Sequence, residues 1–370
     1  MAVKPLELQK FMELAEVYPV LDVRSPGEFS HARIPGAYSL PLFSDEERKV
    51  VGTAYKQQSR EHAIKIGLDY FGVKMRKMVE EVERLLKDWK KQGRPGAEHQ
   101  TVLVHCWRGG MRSAGVAWLL DLYGFKVYTL IGGYKAYRRS VLDAFEMEWP
   151  IHIIGGYTGA GKTDILQKLE RLGEPVIDLE GLAHHKGSAF GHLGLSSQPS
   201  QEMFENCLAG ALRNVLKSEQ EKTPGKVRPI WMEDESLRIG HLFIPQPLYK
   251  QMRKAQCYFI DIPFEARLQH IVKDYGVADR ENLIQATLRI QKRLGGLETK
   301  QAINCLIEND IEGAFTILLK YYDKWYGKSI HTREPGAPPI RMLNSTAVDE
   351  ARNAQLLLTA AGSGFVQENN

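Results

Sequence analysis

The sequence predicts an α/β protein of two domains, each a parallel sheet flanked by helices. Short apolar runs alternate with helical periodicity through most of the chain, the pattern of strand–helix–strand units. Twice an apolar run leads straight into a glycine-rich loop and then a helical segment. These loops are Val104-His105-Cys106-Trp107-Arg108-Gly109-Gly110-Met111-Arg112-Ser113 and Gly156-Tyr157-Thr158-Gly159-Ala160-Gly161-Lys162-Thr163. At 370 residues the chain exceeds one ordinary domain, yet leaves each of two enough length to bury a core.

The elements follow in order. Val20–Val23 reads as a buried strand. Met75 to Lys91 carries apolar residues at helical spacing and is stopped by Gly93 and Pro95. Thr101–Val104 is a second buried strand feeding Cys106, Ser113 to Leu122 the helix behind it, and Val127–Leu130 a third strand before Gly132-Gly133-Tyr134. Ser140 to Pro150 is the expected joint, giving domains 1–145 and 146–370. Ile151–Ile154 then enters the second loop, and Asp164 to Leu172 is its helix. Pro175–Asp178, Ile230–Glu233 and Cys257–Asp261 read as further strands with acids at their C-terminal ends. Such alternation implies a doubly wound sheet with ligands at those ends. Leu283 to Trp325 is mostly helical, Glu334–Pro339 a turn, and the tail from Ser363 is expected to fray.

Composition narrows the class. With 43% apolar and 25% charged residues the chain has a globular make-up. No apolar run approaches the ~20 residues of a membrane span, and Met1–Glu7 has no apolar signal region, so a cytoplasmic, membrane-free protein is expected. Four widely spaced cysteines (Cys106, Cys207, Cys257, Cys305) form no CxxC pair, against a disulfide framework or zinc site. A net charge of +4 permits nucleic-acid binding without demonstrating it.

In the first loop, backbone N–H groups and the following helix's N-terminal end point at whatever the sulfur carries. Arg108 and Arg112 add full charges, so a lowered Cys106 pKa and a nucleophilic thiolate are expected. Leu21-Asp22-Val23-Arg24-Ser25-Pro26-Gly27-Glu28-Phe29, His31-Ala32-Arg33-Ile34-Pro35-Gly36-Ala37, His105-Cys106 and Gly132-Gly133-Tyr134 resemble the rhodanese domain in order and spacing over the first ~140 residues. That resemblance implies a persulfide or perselenide on Cys106, with Asp22 and Arg24 holding the loop from behind. Cys106 and Arg112 are separated by five residues, where many rhodaneses have four. Cys-x5-Arg-Ser is also the signature of cysteine-dependent phosphatases, which keeps that reading open.

The second loop, Gly156-x4-Gly161-Lys162-Thr163, has the strand-before, helix-after context of a Walker A phosphate loop. Gly156, Gly159, Ala160 and Gly161 let N–H groups converge on phosphate, Lys162 reaches the terminal phosphates, and Thr163 is the candidate magnesium ligand. Glu233, Glu235 and Asp178 are candidate acid or magnesium partners. Arg293 before Gly295-Gly296 reads equally as a lid arginine or a helix end. His184 and His185 lack a third ligand, so no metal is assigned to them.

A rhodanese domain followed by a P-loop domain resembles tRNA 2-selenouridine synthases over essentially the whole chain. The likeness includes Val51-Gly52-Thr53-Ala54-Tyr55-Lys56-Gln57, Asp178-Leu179-Glu180-Gly181-Leu182-Ala183-His184-His185-Lys186-Gly187-Ser188-Ala189-Phe190-Gly191 and Glu233-Asp234-Glu235-Ser236. The resemblance implies replacement of sulfur by selenium at C2 of the wobble 2-thiouridine in the lysine, glutamate and glutamine tRNAs. It implies selenophosphate and geranyl diphosphate as co-substrates, no bound prosthetic group, and the selenophosphate-producing enzyme as a candidate partner. Candidate basic surfaces for tRNA are Lys74–Lys77, Arg138-Arg139, Lys250/Arg253/Lys254 and Arg289/Lys292/Arg293. Trp107 and Tyr157 could stack on a base or the geranyl chain, or simply pack. A kinase or ATPase using only the second loop, and a non-enzymatic selenium carrier, are the remaining alternatives.

Overall fold

The structure is a computed structural model that describes residues 3–225, 227–276, 278–330 and 333–362 of the chain. Met1, Ala2 and the tail from Ser363 lie outside the described residues. The chain forms two compact units, Met1–Ala144 and Phe145–Asn370.

The first unit is built on five parallel strands: β1 (Lys4–Leu6), β2 (Val20–Asp22), β3 (Tyr38–Ser39), β4 (Thr101–His105) and β5 (Lys126–Leu130). They lie in the order β1-β5-β4-β2-β3. β4 is central and buried at every residue, as is β2 beside it. A strand covered on both faces must be apolar throughout, which is why the segments read as continuous apolar runs and not as alternating ones. Val102, Val104, Leu21 and Val127 pack with Val116, Ala117 and Leu120 of the Met111–Tyr123 helix and with Met78 and Val82 of the Met75–Lys91 helix. The register aligns Asp22 with His105, so the C-terminal ends of β2 and β4 open at the same level. Cys106 leaves the sheet there.

The second unit has a four-stranded parallel sheet of β6 (Ile151–Gly155), β7 (Ile230–Glu233), β10 (Gln256–Asp261) and β11 (Arg341–Asn344), ordered β11-β10-β6-β7. A separate antiparallel ribbon joins β8 (Arg238–Ile239) to β9 (Leu242–Phe243). The Lys162–Arg171 helix that follows the phosphate loop packs Ile165, Leu166 and Leu169 with Trp231, Tyr258 and Ile260 of the sheet and with Leu357 and Leu358 of the Glu350–Ala361 helix. A second core, in the helical part, gathers Phe190, Ile271, Leu283, Leu306, Phe315 and Leu319. Register pairs Ile154 with Glu233, and Asp234 N–H donates to Ile154 O at 2.9 Å. The acids after β7 are thereby fixed beside the mouth of β6.

One expectation is corrected. Pro175–Asp178 is not a strand: it makes one bridge, Val176 to Trp231, and Asp178 already caps the next helix. The division between Ala144 and Phe145 falls within the expected Ser140–Pro150 joint, whose first residues, Ser140–Glu146, are the end of the Gly133–Glu146 helix. Tyr137, Val141, Ala144 and Phe145 are buried at helical spacing, which keeps that segment wound.

Candidate active sites

In the first unit, Cys106 sits 3% exposed at the end of β4. Its Sγ lies 3.2 Å from Ser113 Oγ, and Ser113 Oγ donates to Gly110 O at 3.1 Å. Burial raises the Cys106 pKa. The Ser113 hydroxyl and the N–H groups of Ser113, Arg108 and Gly110 outweigh it, so the thiol is held below its ordinary value. The direction is as expected, but the cause is the loop and not the arginines. Arg108 is exposed, and Arg112 Nη1 binds Glu28 Oε2 at 2.8 Å. Burial pushes Glu28 up as well, yet Arg112, the Ser25 N–H and Arg48 bring its carboxyl down to about 2.

The loop is clasped from behind. Tyr134 N–H donates to Cys106 O at 2.8 Å and Lys135 N–H to Trp107 O at 2.9 Å. This approach needs glycine: a Cβ on Gly133, at φ +60°, would stand 2.4 Å from Cys106 O, and one on Gly109, at φ +66°, 2.6 Å from Leu130 O. Tyr134 is held in turn by Arg24, whose guanidinium carbon is 3.8 Å from its ring centroid. Arg24 is fully buried, forks onto Asp22 at 2.6–2.9 Å and donates to Ala32 O at 2.7 Å. His105 lies beside this pair, 3.7 Å from Asp22; burial, opposed by Asp22 and aided by Arg24, keeps it neutral. Asp22 and Arg24 thus stand behind the loop, and Trp107 packs on Tyr134 with ring centroids 5.7 Å apart.

In the second unit the phosphate loop turns through Gly159 (φ +84°) and Gly161 (φ +70°) into the helix that starts at Lys162. Lys162 Nζ donates to Gly156 O at 3.1 Å. Thr163 Oγ1 donates to Glu180 Oε2 at 2.9 Å, and Glu180 N–H donates to Glu233 Oε1 at 2.7 Å. The other Glu233 oxygen is buried with no hydrogen-bond partner. Burial first, then neighbouring Asp178 and Glu180, pushes the Glu233 carboxyl well above the usual carboxylate range. Glu235 is raised likewise, by burial and Glu180, with Lys162 opposing. Asp178 spends its carboxylate on the Gly181 N–H at 2.7 Å. Glu180 is therefore nearer Thr163 than any of the acids the sequence singled out.

This acid-lined loop opens into a cleft of about 510 Å3. Gly159 to Thr163, Glu180 and Glu235 line one part; Phe190, Ile271, Tyr275, Phe315, Leu319 and Trp325 line another. Phe190 and Tyr275 each place their ring centroid 5.5–6.1 Å from a neighbour in the group with Phe315. Tyr326 ties wall to loop: its hydroxyl donates to Asp234 Oδ2 at 2.8 Å and accepts from Gly156 N–H at 3.4 Å. Arg267 braces the same region, forking onto Asp323 at 2.8–2.9 Å and donating to Thr158 O at 3.0 Å.

The structure brings Gly156, Gly159, Ala160, Gly161, Lys162, Thr163, Glu233 and Glu235 together, and Arg293 lines the same cleft. Tyr157 packs on Phe259, centroids 5.1 Å apart, and Arg253 is buried against Asp234, which removes it from the expected basic surface. Glu28, Ser113, Glu180 and Tyr326 carry roles that the sequence reading did not assign. The aromatic run Tyr321-Tyr322-Asp323-Lys324-Trp325-Tyr326 was the visible signal for the wall.

Thr163 and the flanking carboxylates offer oxygen donors only, and the buried Glu233 oxygen lacks a partner. Among the described residues no group of three or more His, Cys, Asp or Glu is arranged to cage a metal. Such a site fits magnesium bound through one or two protein oxygens, waters and a substrate phosphate, and not a metal held by protein alone. Among the described residues no helix is long and apolar enough to cross a membrane.

The rhodanese-like domain family matches residues 4–140, and the tRNA 2-selenouridine synthase AAA domain family matches residues 149–341. Among curated relatives, tRNA 2-selenouridine synthase of Nitrosomonas europaea is 37% identical over 70% of this chain and 63% of its own length. That of Bdellovibrio bacteriovorus is 34% identical over 81% of this chain and 82% of its own. That of Shewanella piezotolerans is 33% identical over 85% and 89%.

Proposed function

The chain belongs to the tRNA 2-selenouridine synthase family, and from that premise we propose that it replaces sulfur by selenium at C2 of the wobble 2-thiouridine in two steps served by two anion cradles. The observation that carries this reading is the second-unit cleft, in which a phosphate loop and an aromatic wall line one cavity. An isoprenoid diphosphate such as geranyl diphosphate needs both.

The first step is alkylation. The thiocarbonyl sulfur attacks C1 of geranyl diphosphate, the C–O bond breaks, diphosphate leaves with the electron pair, and the N3 proton passes to solvent. Lys162 and the loop N–H groups stabilise the charge that develops on the departing diphosphate. Magnesium, when bound at Thr163 with Glu180 or Glu235 nearby, would supply further charge neutralisation there. The wall excludes water from the allylic carbon. No ATP hydrolysis is required.

The second step is substitution. Sulfide is a poor leaving group from C2, whereas geranylthiolate is a better one and S-alkylation makes C2 more electrophilic. The selenium of selenophosphate attacks C2 and geranylthiolate leaves with the electron pair, taking a proton from solvent; water then attacks phosphorus, the Se–P bond breaks, phosphate departs, and N3 regains its proton to give 2-selenouridine. Cys106, held as a thiolate-prone group in its own N–H cradle, serves this step. The tRNAs for lysine, glutamate and glutamine are the proposed acceptors, and the selenophosphate-producing enzyme the proposed supplier.

The test separates the sites. Lys162→Ala lowers geranyl transfer to 2-thiouridine tRNA by about 100-fold or more. Cys106→Ala leaves geranyl transfer intact and abolishes conversion to 2-selenouridine. Normal geranylation by Lys162→Ala, or equal loss of both products in Cys106→Ala, would contradict the division of labour.

A further inference from the structure

The β8–β9 ribbon begins two residues after Ser236, which lines the cleft and donates to Arg238 O at 2.7 Å. Its side chains alternate. Ile239 and Leu242 are fully buried, while Arg238, His241 and Phe243 face solvent, Phe243 with 48% of its surface exposed. A two-stranded ribbon is marginal in water by itself, and this one is clamped by two glutamines. Gln198 donates to Ile239 O at 3.1 Å and accepts the His241 N–H at 2.9 Å. Gln201 donates to Phe243 O at 2.8 Å and accepts the Phe243 N–H at 2.8 Å. So the chain fixes a large aromatic ring in solvent.

A cation stands beside the ring, while behind the clamp Gln201 also donates to Glu205 Oε1 at 2.9 Å. The Arg238 guanidinium carbon lies 5.8 Å from the Phe243 ring centroid, and its Nε donates to Gly240 O at 2.7 Å. The segment Arg238–Phe243 contains no acid. A protein partner would look for a contiguous apolar patch. A lone ring beside an arginine, on a ribbon adjoining the cleft, matches an unstacked base with its phosphate.

We propose that the β8–β9 ribbon is a docking platform for a single-stranded stretch of RNA, with Phe243 stacking on a base and Arg238 facing a phosphate, next to the cleft that receives the reacting uridine. This rests on the reading that tRNA is the substrate.

The test measures binding of an anticodon stem-loop RNA by filter retention over a salt series, with inorganic pyrophosphate binding as the check on the cleft. Phe243→Ala is expected to weaken RNA binding about tenfold without changing its salt dependence, and Phe243→Trp to retain it. Arg238→Gln is expected to reduce the slope of log K against log salt by about 1. Pyrophosphate affinity should be unchanged in all three. RNA affinity equal to the parent's in both Phe243→Ala and Arg238→Gln overturns the platform, as does a joint loss of RNA and pyrophosphate binding, which marks a structural role. A parent protein that binds pyrophosphate but no RNA defeats the tRNA reading itself.

Discussion

At the residue scale, the chemistry of the first unit depends on hydrogen bonds to one sulfur. Ser113 is the group whose hydroxyl and N–H both lower the Cys106 pKa, so Ser113→Ala should move the midpoint of Cys106 alkylation by iodoacetamide to higher pH; an unchanged midpoint would remove Ser113 from the account. Glu28 gives a second prediction. Its carboxyl titrates near 2 in the folded chain against 4.5 as the ordinary value. As pH falls through 4.5 the unfolded chain takes up a proton that the folded chain refuses, so stability drops until about 2, below which both forms are protonated. Glu28→Gln should therefore unfold more easily than the parent above pH 4.5, and the gap should close toward pH 2, as read by denaturant midpoints. A gap constant with pH would show that the Arg112 pair contributes nothing through this proton. Residues of this kind were only partly legible in the sequence. Cys106, Lys162 and Thr163 announce themselves because each lies in a glycine-rich loop between an apolar run and a helical segment. Glu28 meets Arg112 across 84 positions, and Tyr326 meets Gly156 across 170, so no local pattern could pair them.

At the element scale, each loop is set by what grips it from behind. The Gly132-Gly133 turn presses onto Cys106 and Gly109 so closely that a side chain cannot enter. Gly133→Ala should cost at least about 1–3 kcal/mol for the positive φ alone, with more from the 2.4 Å approach to Cys106 O, seen as a lowered midpoint of thermal unfolding. Full stability in that variant would mean that the clasp relaxes freely. Element by element, the buried strands were the easy part: β2, β4, β6, β7 and β10 are apolar enough to stand out, and the Met75–Lys91 helix keeps its period from end to end. β1 and β11 stayed hidden because they are three and four residues long with mostly exposed side chains, so they carry almost no apolar signal. Pro175–Asp178 misled for the opposite reason. Val176 and Ile177 are apolar and pack on the core, but Asp178 is needed as the cap of the Leu179–Ala183 helix, and the chain turns before a ladder can form. The acids after β7 were legible as a cluster. Their use was not: Glu180 reaches Thr163 only because its own N–H is anchored on Glu233.

At the scale of the whole molecule, one chain carries two units, each with a parallel sheet and each with an anion cradle at the C-terminal end of a central strand. The cradles differ in what adjoins them. The Cys106 loop surrounds a single buried sulfur. The Lys162 loop shares its cleft with an aromatic wall, where the proposed diphosphate and its apolar chain would sit. Two cradles of different size are what a sulfur-to-selenium exchange through an alkylated intermediate requires, and the account stands or falls on that intermediate. The most direct measurement is mass spectrometry of the wobble nucleoside after 2-thiouridine tRNA is incubated with the protein and geranyl diphosphate, before and after selenophosphate is added. The account predicts S-geranyl-2-thiouridine in the first sample and its conversion to 2-selenouridine in the second. Formation of 2-selenouridine from selenophosphate alone at the same rate, with no S-geranyl species in either sample, would contradict it.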